Sequence, residues 1–154
     1  MHEPAVLFVC LGNICRSPLA EAAFRHEAGK AGLAVTVDSA GTADYHVGEA
    51  PDPRAIRTAA KFGVDISGYR GRQVTRADFA RFTHIYAADQ ANLRNLERLA
   101  PAEHAARLAL LLDLVPGREG QALTDPWYGD EDGFLDTWAD VTSAARALVQ
   151  ALRR

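Results

Sequence analysis

The chain has 154 residues, 48% of them hydrophobic and 24% charged, with a formal net charge of -3. That profile fits one globular domain over residues 1–154 with a core of its own. The charge argues against a nucleic-acid partner held by phosphate contacts, and no apolar stretch reaches membrane-spanning length, so no membrane insertion is expected. Two cysteines are too few for a disulfide scaffold. With no basic-then-apolar leader at the start, they point to a reducing, cytoplasmic setting.

In chain order, Ala5 to Val9 is β-branched and aromatic without alternation, a strand covered on both faces. Ser17-Pro18 opens a helix, with serine at the cap, proline just inside and Glu21 in the first turn. Gly32 ends it. Val35-Thr36-Val37 is a second strand, stopped by Ser39-Ala40-Gly41. After a polar loop, a helix runs from about Pro53 to Phe62 and Gly63 closes it. Thr75-Arg76-Ala77-Asp78 reads as a capping box for a short helix. His84 to Ala87 is a third strand, Asp89 caps a helix over Gln90 to Leu99, and Leu108 to Leu112 is a fourth strand. A Gly/Pro-rich loop over Pro116 to Asp132 leads to a final helix, Phe134 to Leu152. Leu93, Leu96 and Leu99 fall at core spacing. Strands alternating with helices predict an α/β fold, a parallel sheet with helices on both faces, whose ligands bind outside the carboxyl ends of the strands.

Cys10-Leu11-Gly12-Asn13-Ile14-Cys15-Arg16-Ser17 lies at that end, between the first strand and the first helix. A tight loop at a helix N-terminus presents successive N–H groups and the positive end of the helix dipole to an anion. Arg16 adds a planar fork that grips two phosphate oxygens, and Gly12 and Asn13 tolerate left-handed backbone. The same field favours the thiolate of Cys10, with Ser17 placed to donate to the sulfur. A thiolate held against phosphorus attacks in line, and the developing charge stays inside the cradle. The leaving oxygen then needs a proton from elsewhere.

Asp125, in Thr124-Asp125-Pro126-Trp127-Tyr128-Gly129, is the candidate acid. Pro126 restricts it to extended angles, and Trp127 and Tyr128 can wall a cleft. An ordinary Asp-Pro turn is an equal reading of these residues. Asp130, Glu131 and Asp132 follow and read as solvated loop charges. His2, His26, His46, His84 and His104 have no metal-ligand spacing, so neither a metal site nor a cofactor is expected. His46 is as well explained as a loop residue as by contact with substrate. Arg70 and Arg72 read as solvated surface.

These motifs make the chain resemble the low-molecular-weight protein tyrosine phosphatases almost end to end. Cys10 through Pro18 is similar to that family's phosphate loop. Asp38 through Thr42, His46 through Gly48, Asp52 through Ala55, Arg72 through Thr75, Asp78-Phe79 and Asn92 through Arg94 are similar to its later signatures. Asp125 through Gly129 is similar to its acid loop. The resemblance implies a three-layer fold with a four-stranded parallel sheet. It implies Cys10 as nucleophile, Arg16 as phosphate clamp, and Asp125 as acid and then base. Leu11, Gly12, Asn13, Ile14, Cys15, Tyr45, Trp127 and Tyr128 would bind substrate, with Ser17 stabilising the thiolate and Asn13 holding the loop by bonding to Ser39. Cys15 would be able to form a protective disulfide with Cys10, and Tyr128 to be phosphorylated itself. Three positions depart from the pattern: Tyr45 for a frequent Trp, Ala88 for a Met, and Tyr69 for a His that supports the loop.

The expected activity is hydrolysis of phosphotyrosine and small aryl phosphates through a phosphocysteine, without metal. The partners would be phosphotyrosine proteins and a tyrosine kinase, and the chain a monomer or weak dimer. An arsenate reductase on the same fold needs further cysteines or an external thiol. A protein arginine phosphatase resembles this loop but carries Thr where Ile14 stands. A non-catalytic phosphate-binding or redox-sensing module fits poorly with Cys10, Arg16 and Asp125 all present.

Overall fold

The computed structural model describes residues 3–153, so His2 lies outside the described residues. Four strands, β1 (Ala5–Cys10), β2 (Thr36–Gly41), β3 (His84–Ala87) and β4 (Arg107–Leu110), form one parallel sheet in the order β2-β1-β3-β4. Connecting them are α1 (Arg16–Lys30), α2 (Pro53–Lys61), the one-turn α3 (Asp78–Arg81) and α4 (Gln90–Leu99), and α5 (Glu131–Leu152) closes the chain. Strand order reverses between β1 and β3, which makes the carboxyl ends of those two strands the expected ligand crevice.

β1 is buried along its whole length, as its unalternating apolar sequence predicts. Val6, Phe8 and Cys10 face one core, shared with Leu19 and Phe24 of α1, Ala55 and Ala59 of α2, and Phe134, Trp138 and Val141 of α5. Leu7 and Val9 face the other, with Phe79 of α3, Leu96 of α4, and Ile85 and Leu110. The period-two alternation of a strand makes these the two faces of the sheet, each roofed by helices.

Several boundaries differ from the sequence expectation. β2 continues through Ser39-Ala40-Gly41, because Phe8, Val9 and Cys10 pair with these three residues in register; ladder pairing overrides their low strand propensity. α1 begins at Arg16, and Ser17 is not its cap: the hydroxyl is turned back toward Cys10. Glu21 is buried and does not act as a first-turn charge. β4 ends at Leu110, where Asp113 accepts from the Leu110 N–H at 3.2 Å and turns the chain into a 3-10 segment, Leu111–Leu114. α5 starts at Glu131 because Asp130 caps it, accepting from the Asp132 N–H at 3.1 Å, so these acids are helix-start residues and not free loop charges. Of the three spaced leucines only Leu96 is fully buried; Leu93 and Leu99 pack at the margin.

Candidate active site

The loop between β1 and α1 closes on itself through Asn13, the one non-glycine residue with positive φ (59°) among those described. Asn tolerates this region better than other side chains; Gly12 does not use it. Asn13 donates its backbone N–H to Cys10 Sγ (3.3 Å), and its Nδ2 to Ser17 Oγ (2.8 Å) and Ser39 Oγ (3.0 Å). Its Oδ1 accepts the backbone N–H of Arg72 at 3.0 Å. Ser17 Oγ accepts from Asn13 and lies 3.1 Å from Cys10 Sγ; a thiolate there can only accept, so it competes for the Ser17 proton with the more distant Ala40 carbonyl at 3.5 Å. Ser39 likewise accepts from Asn13 and donates to Glu21 Oε1 at 2.7 Å. Glu21 is in turn held by Arg25 at 2.7 Å. Burial pushes the Glu21 carboxyl above its usual range, against the downward pull of the Arg25 and Ser39 hydrogen bonds.

The family resemblance places Asn13 against substrate and also has it hold the loop by bonding to Ser39. Its side chain makes that bond, lying behind the loop and 3% exposed, and it is not among the residues lining the cavity in front. Tyr69 lines the adjoining cavity with Glu21 and Arg25. Arg72 is not free surface: its guanidinium bridges Asp38 (3.0 Å) and Asp78 (3.0 and 3.1 Å) while its backbone holds Asn13.

In front of the loop lies a cavity of about 240 Å3, lined by Cys10, Leu11, Gly12, Ile14, Cys15, Arg16, Tyr45, His46, Asp125, Trp127 and Tyr128. The structure thus gathers the expected nucleophile, clamp and acid, although Asp125 is 115 positions from Cys10 (125 minus 10). Arg16 is buried, its Nη1 donating to Asp89 Oδ2 and to the Leu123 carbonyl, both at 2.9 Å. Asp89 does double duty, since its Oδ1 caps α4 by accepting from the Asn92 N–H at 2.8 Å. The sequence shows Asp89 as a cap but not as the anchor of Arg16, because nothing local ties the two residues together.

Asp125 stands at the start of a 3-10 turn, Pro126–Tyr128, where Oδ1 accepts from the Trp127 N–H at 3.1 Å. Its Oδ2 is 3.8 Å from Arg16 Nη2. The side chain is 35% exposed, open to the cavity mouth. Tyr45 and Tyr128 are strongly exposed at the rim, and Trp127 is half-exposed. His46 is part of the wall: a Cβ on Gly12 would meet its Cδ2 at 3.1 Å, so glycine there admits the imidazole. Glu49 orients the ring from 3.3 Å. Cys10 and Cys15 are both buried free thiols, and burial, with Asp52 next in strength, pushes the Cys15 thiol far up. Among the described residues no group of three or more His, Cys, Asp and Glu side chains could hold a metal ion. No described helix is long and apolar enough to cross a membrane.

A family model described as low molecular weight phosphotyrosine protein phosphatase matches residues 5–154. The chain belongs to this family. Its members are phosphatases, hydrolase enzymes, and the chain is an enzyme of that kind. A Schizosaccharomyces pombe low molecular weight phosphotyrosine protein phosphatase is 40% identical over 150 residues, 96% of each chain. The crystal structure of an Entamoeba histolytica protein tyrosine phosphatase with Hepes in its active site superposes with a TM-score of 0.91 at 32% identity, covering 97% of both chains. A Drosophila arginine phosphatase structure also superposes at 0.91, with 30% identity over 97% of this chain and 98% of that one.

Proposed function

We propose that the enzyme hydrolyses protein phosphotyrosine and small aryl phosphates by way of a phosphocysteine. The observation that carries this reading is the convergence of Cys10, Arg16 and Asp125 on one cavity with an aromatic rim. The thiolate of Cys10, receiving hydrogen bonds from Ser17 and from the Asn13 N–H, attacks phosphorus. The S–P bond forms as the P–O bond to the leaving group breaks. Arg16, with Nη1 anchored by Asp89 and Leu123, turns its remaining donors to the phosphoryl oxygens. Asp125 gives its proton to the leaving phenolate oxygen, then takes one from the water that attacks the phosphocysteine, releasing phosphate and restoring the thiolate.

Trp127 and Tyr45 flank the aryl ring. The apolar side chain of Ile14 in the cavity wall suits a phenyl ring better than the charged guanidinium of phosphoarginine. Cytoplasmic phosphotyrosine proteins are the substrates that fit, since a reducing compartment keeps Cys10 available.

The test is hydrolysis of phosphotyrosine, phosphoarginine and phenyl phosphate with EDTA present, comparing wild type with Cys10→Ser and Asp125→Ala. Cys10→Ser should abolish turnover and the trapped ³²P-enzyme. Asp125→Ala should cost on the order of 10²–10⁴-fold on phenyl phosphate. Activity retained by Cys10→Ser, or phosphoarginine turned over faster than phosphotyrosine, overturns the reading.

A further inference from the structure

Arg54, the second residue of α2, sits outside the cavity and touches none of the reacting groups, yet its guanidinium joins three separately folded pieces of the site. Its Nε and Nη2 each donate at 3.0 Å to the two oxygens of Asp52, a planar bidentate pair. The Asp52 backbone N–H donates in turn to the Ile14 carbonyl at 2.9 Å, which fastens this unit to the phosphate loop. From the other side, Arg54 Nη1 donates to the Gly129 carbonyl at 3.0 Å and Nη2 to the Trp127 carbonyl at 3.2 Å. The guanidinium carbon lies 5.5 Å from the centre of the Trp127 ring and 4.7 Å from that of Phe134 at the start of α5.

The turn carrying Asp125 is one 3-10 turn long, has little core of its own, and leaves these two carbonyls without ladder partners. A single short turn does not hold a carboxyl group to a fraction of an ångström. Four hydrogen bonds and two aromatic faces on one rigid cation do.

We propose that Arg54 is a positioning residue for the general acid, setting the Asp125 carboxyl against the leaving-group oxygen by strapping the Trp127 to Gly129 segment to Asp52 and, through the Asp52 N–H, to the phosphate loop at Ile14. The proposal rests on the reading of Asp125 as the acid. It concerns only the first chemical step, which kcat/KM reports.

The experiment compares kcat/KM on phenyl phosphate, whose leaving group needs the proton, with 4-nitrophenyl phosphate, whose leaving group hardly does. Wild type, Arg54→Ala, Arg54→Lys, Asp125→Asn and Arg54→Ala/Asp125→Asn are measured. Arg54→Ala should lose on the order of 10- to 100-fold on phenyl phosphate and about threefold or less on the nitro compound. Arg54→Lys, a point charge without the fork, should stay close to Ala. In the Asp125→Asn background, Arg54→Ala should add less than about twofold, since there is no proton left to aim.

Because both substrates are read on one preparation, their ratio is independent of how much variant folds. Equal losses on the two substrates, or an undiminished loss in the Asp125→Asn background, overturn the positioning role. If Asp125→Asn itself shows no leaving-group dependence, the acid assignment fails first, and the proposal with it.

Discussion

Asn13→Ala is the most telling single change behind the phosphate loop. It removes three side-chain hydrogen bonds, to Ser17, Ser39 and the Arg72 N–H, at a position only 3% exposed. At about 1 kcal/mol for each bond, that is a loss of about 3 kcal/mol. Alanine must also hold the left-handed backbone at φ 59°, adding roughly 1 kcal/mol. The expected destabilisation is therefore about 4 kcal/mol, a large part of the stability of a domain of this size.

Urea unfolding followed by the fluorescence of Trp127 and Trp138 measures it, with kcat/KM on an aryl phosphate as the functional readout. The latter should fall on the order of 10-fold or more, as Ser17 loses the bond that holds its hydroxyl beside Cys10. The cycle with Ser39→Ala should be non-additive by at least about 0.5 kcal/mol, because both changes break one shared bond. A loss below about 1 kcal/mol, or strict additivity with Ser39→Ala, would refute the hydrogen-bonded chain from Glu21 to Cys10.

Asp52 is held below the usual carboxylate range: burial alone would raise it, but the hydrogen bonds and charge of Arg54 outweigh that. A depressed carboxyl contributes stability above its unfolded value, and the contribution is lost as pH falls through the folded one. Asp52→Asn keeps a good helix cap and removes the charge, so it should be less stable than wild type at pH 7. The gap in urea midpoint should narrow on acidification below about pH 4; a pH-independent gap rules this out. Gly71→Ala should destabilise by about 1–3 kcal/mol, since a Cβ there would stand 2.4 Å from the His46 carbonyl oxygen in the rim loop. It should also raise KM for aryl phosphates by shifting Tyr45 and His46; unchanged stability and KM would show that the rim yields freely.

Much of the site was legible because its chemistry is local. Cys10, Gly12, Asn13, Arg16 and Ser17 are consecutive enough that a strand, a tight turn and a helix start fix their relative places by backbone geometry alone. Asp125 was legible through its neighbours, a proline that restricts it and two aromatics that suit a cleft. The roles of Asp89, Arg72 and Glu21 were not, and Arg54 carried no reading of its own. Asp89 reads locally as a cap, Arg72 as a surface cation and Glu21 as a first-turn acid, and the partners that matter come from other elements. The end of β2 was hidden for the same reason in the fold, since pairing with β1 carries it through Gly41, whereas β4 stops early at a local turn that Asp113 makes with the Leu110 N–H.

By itself the sequence determined the α/β order of elements, the two-sided burial of β1, and the pairing of a thiol with an arginine across a phosphate-sized turn. These follow from periodicity, turn chemistry and nearest-neighbour sterics, which need no knowledge of what folds against what. It took the folded chain to show that Asn13 also holds the Arg72 N–H, that Asp89 and Leu123 fix Arg16, and that α2 reaches across to the Asp125 turn through Arg54. Hydrogen bonds of that kind are set by the packing of α1, α2 and α5 on one face of the sheet. Their partners are dozens of residues apart, and no local pattern encodes which carbonyl or carboxylate will arrive within 3 Å of a given donor.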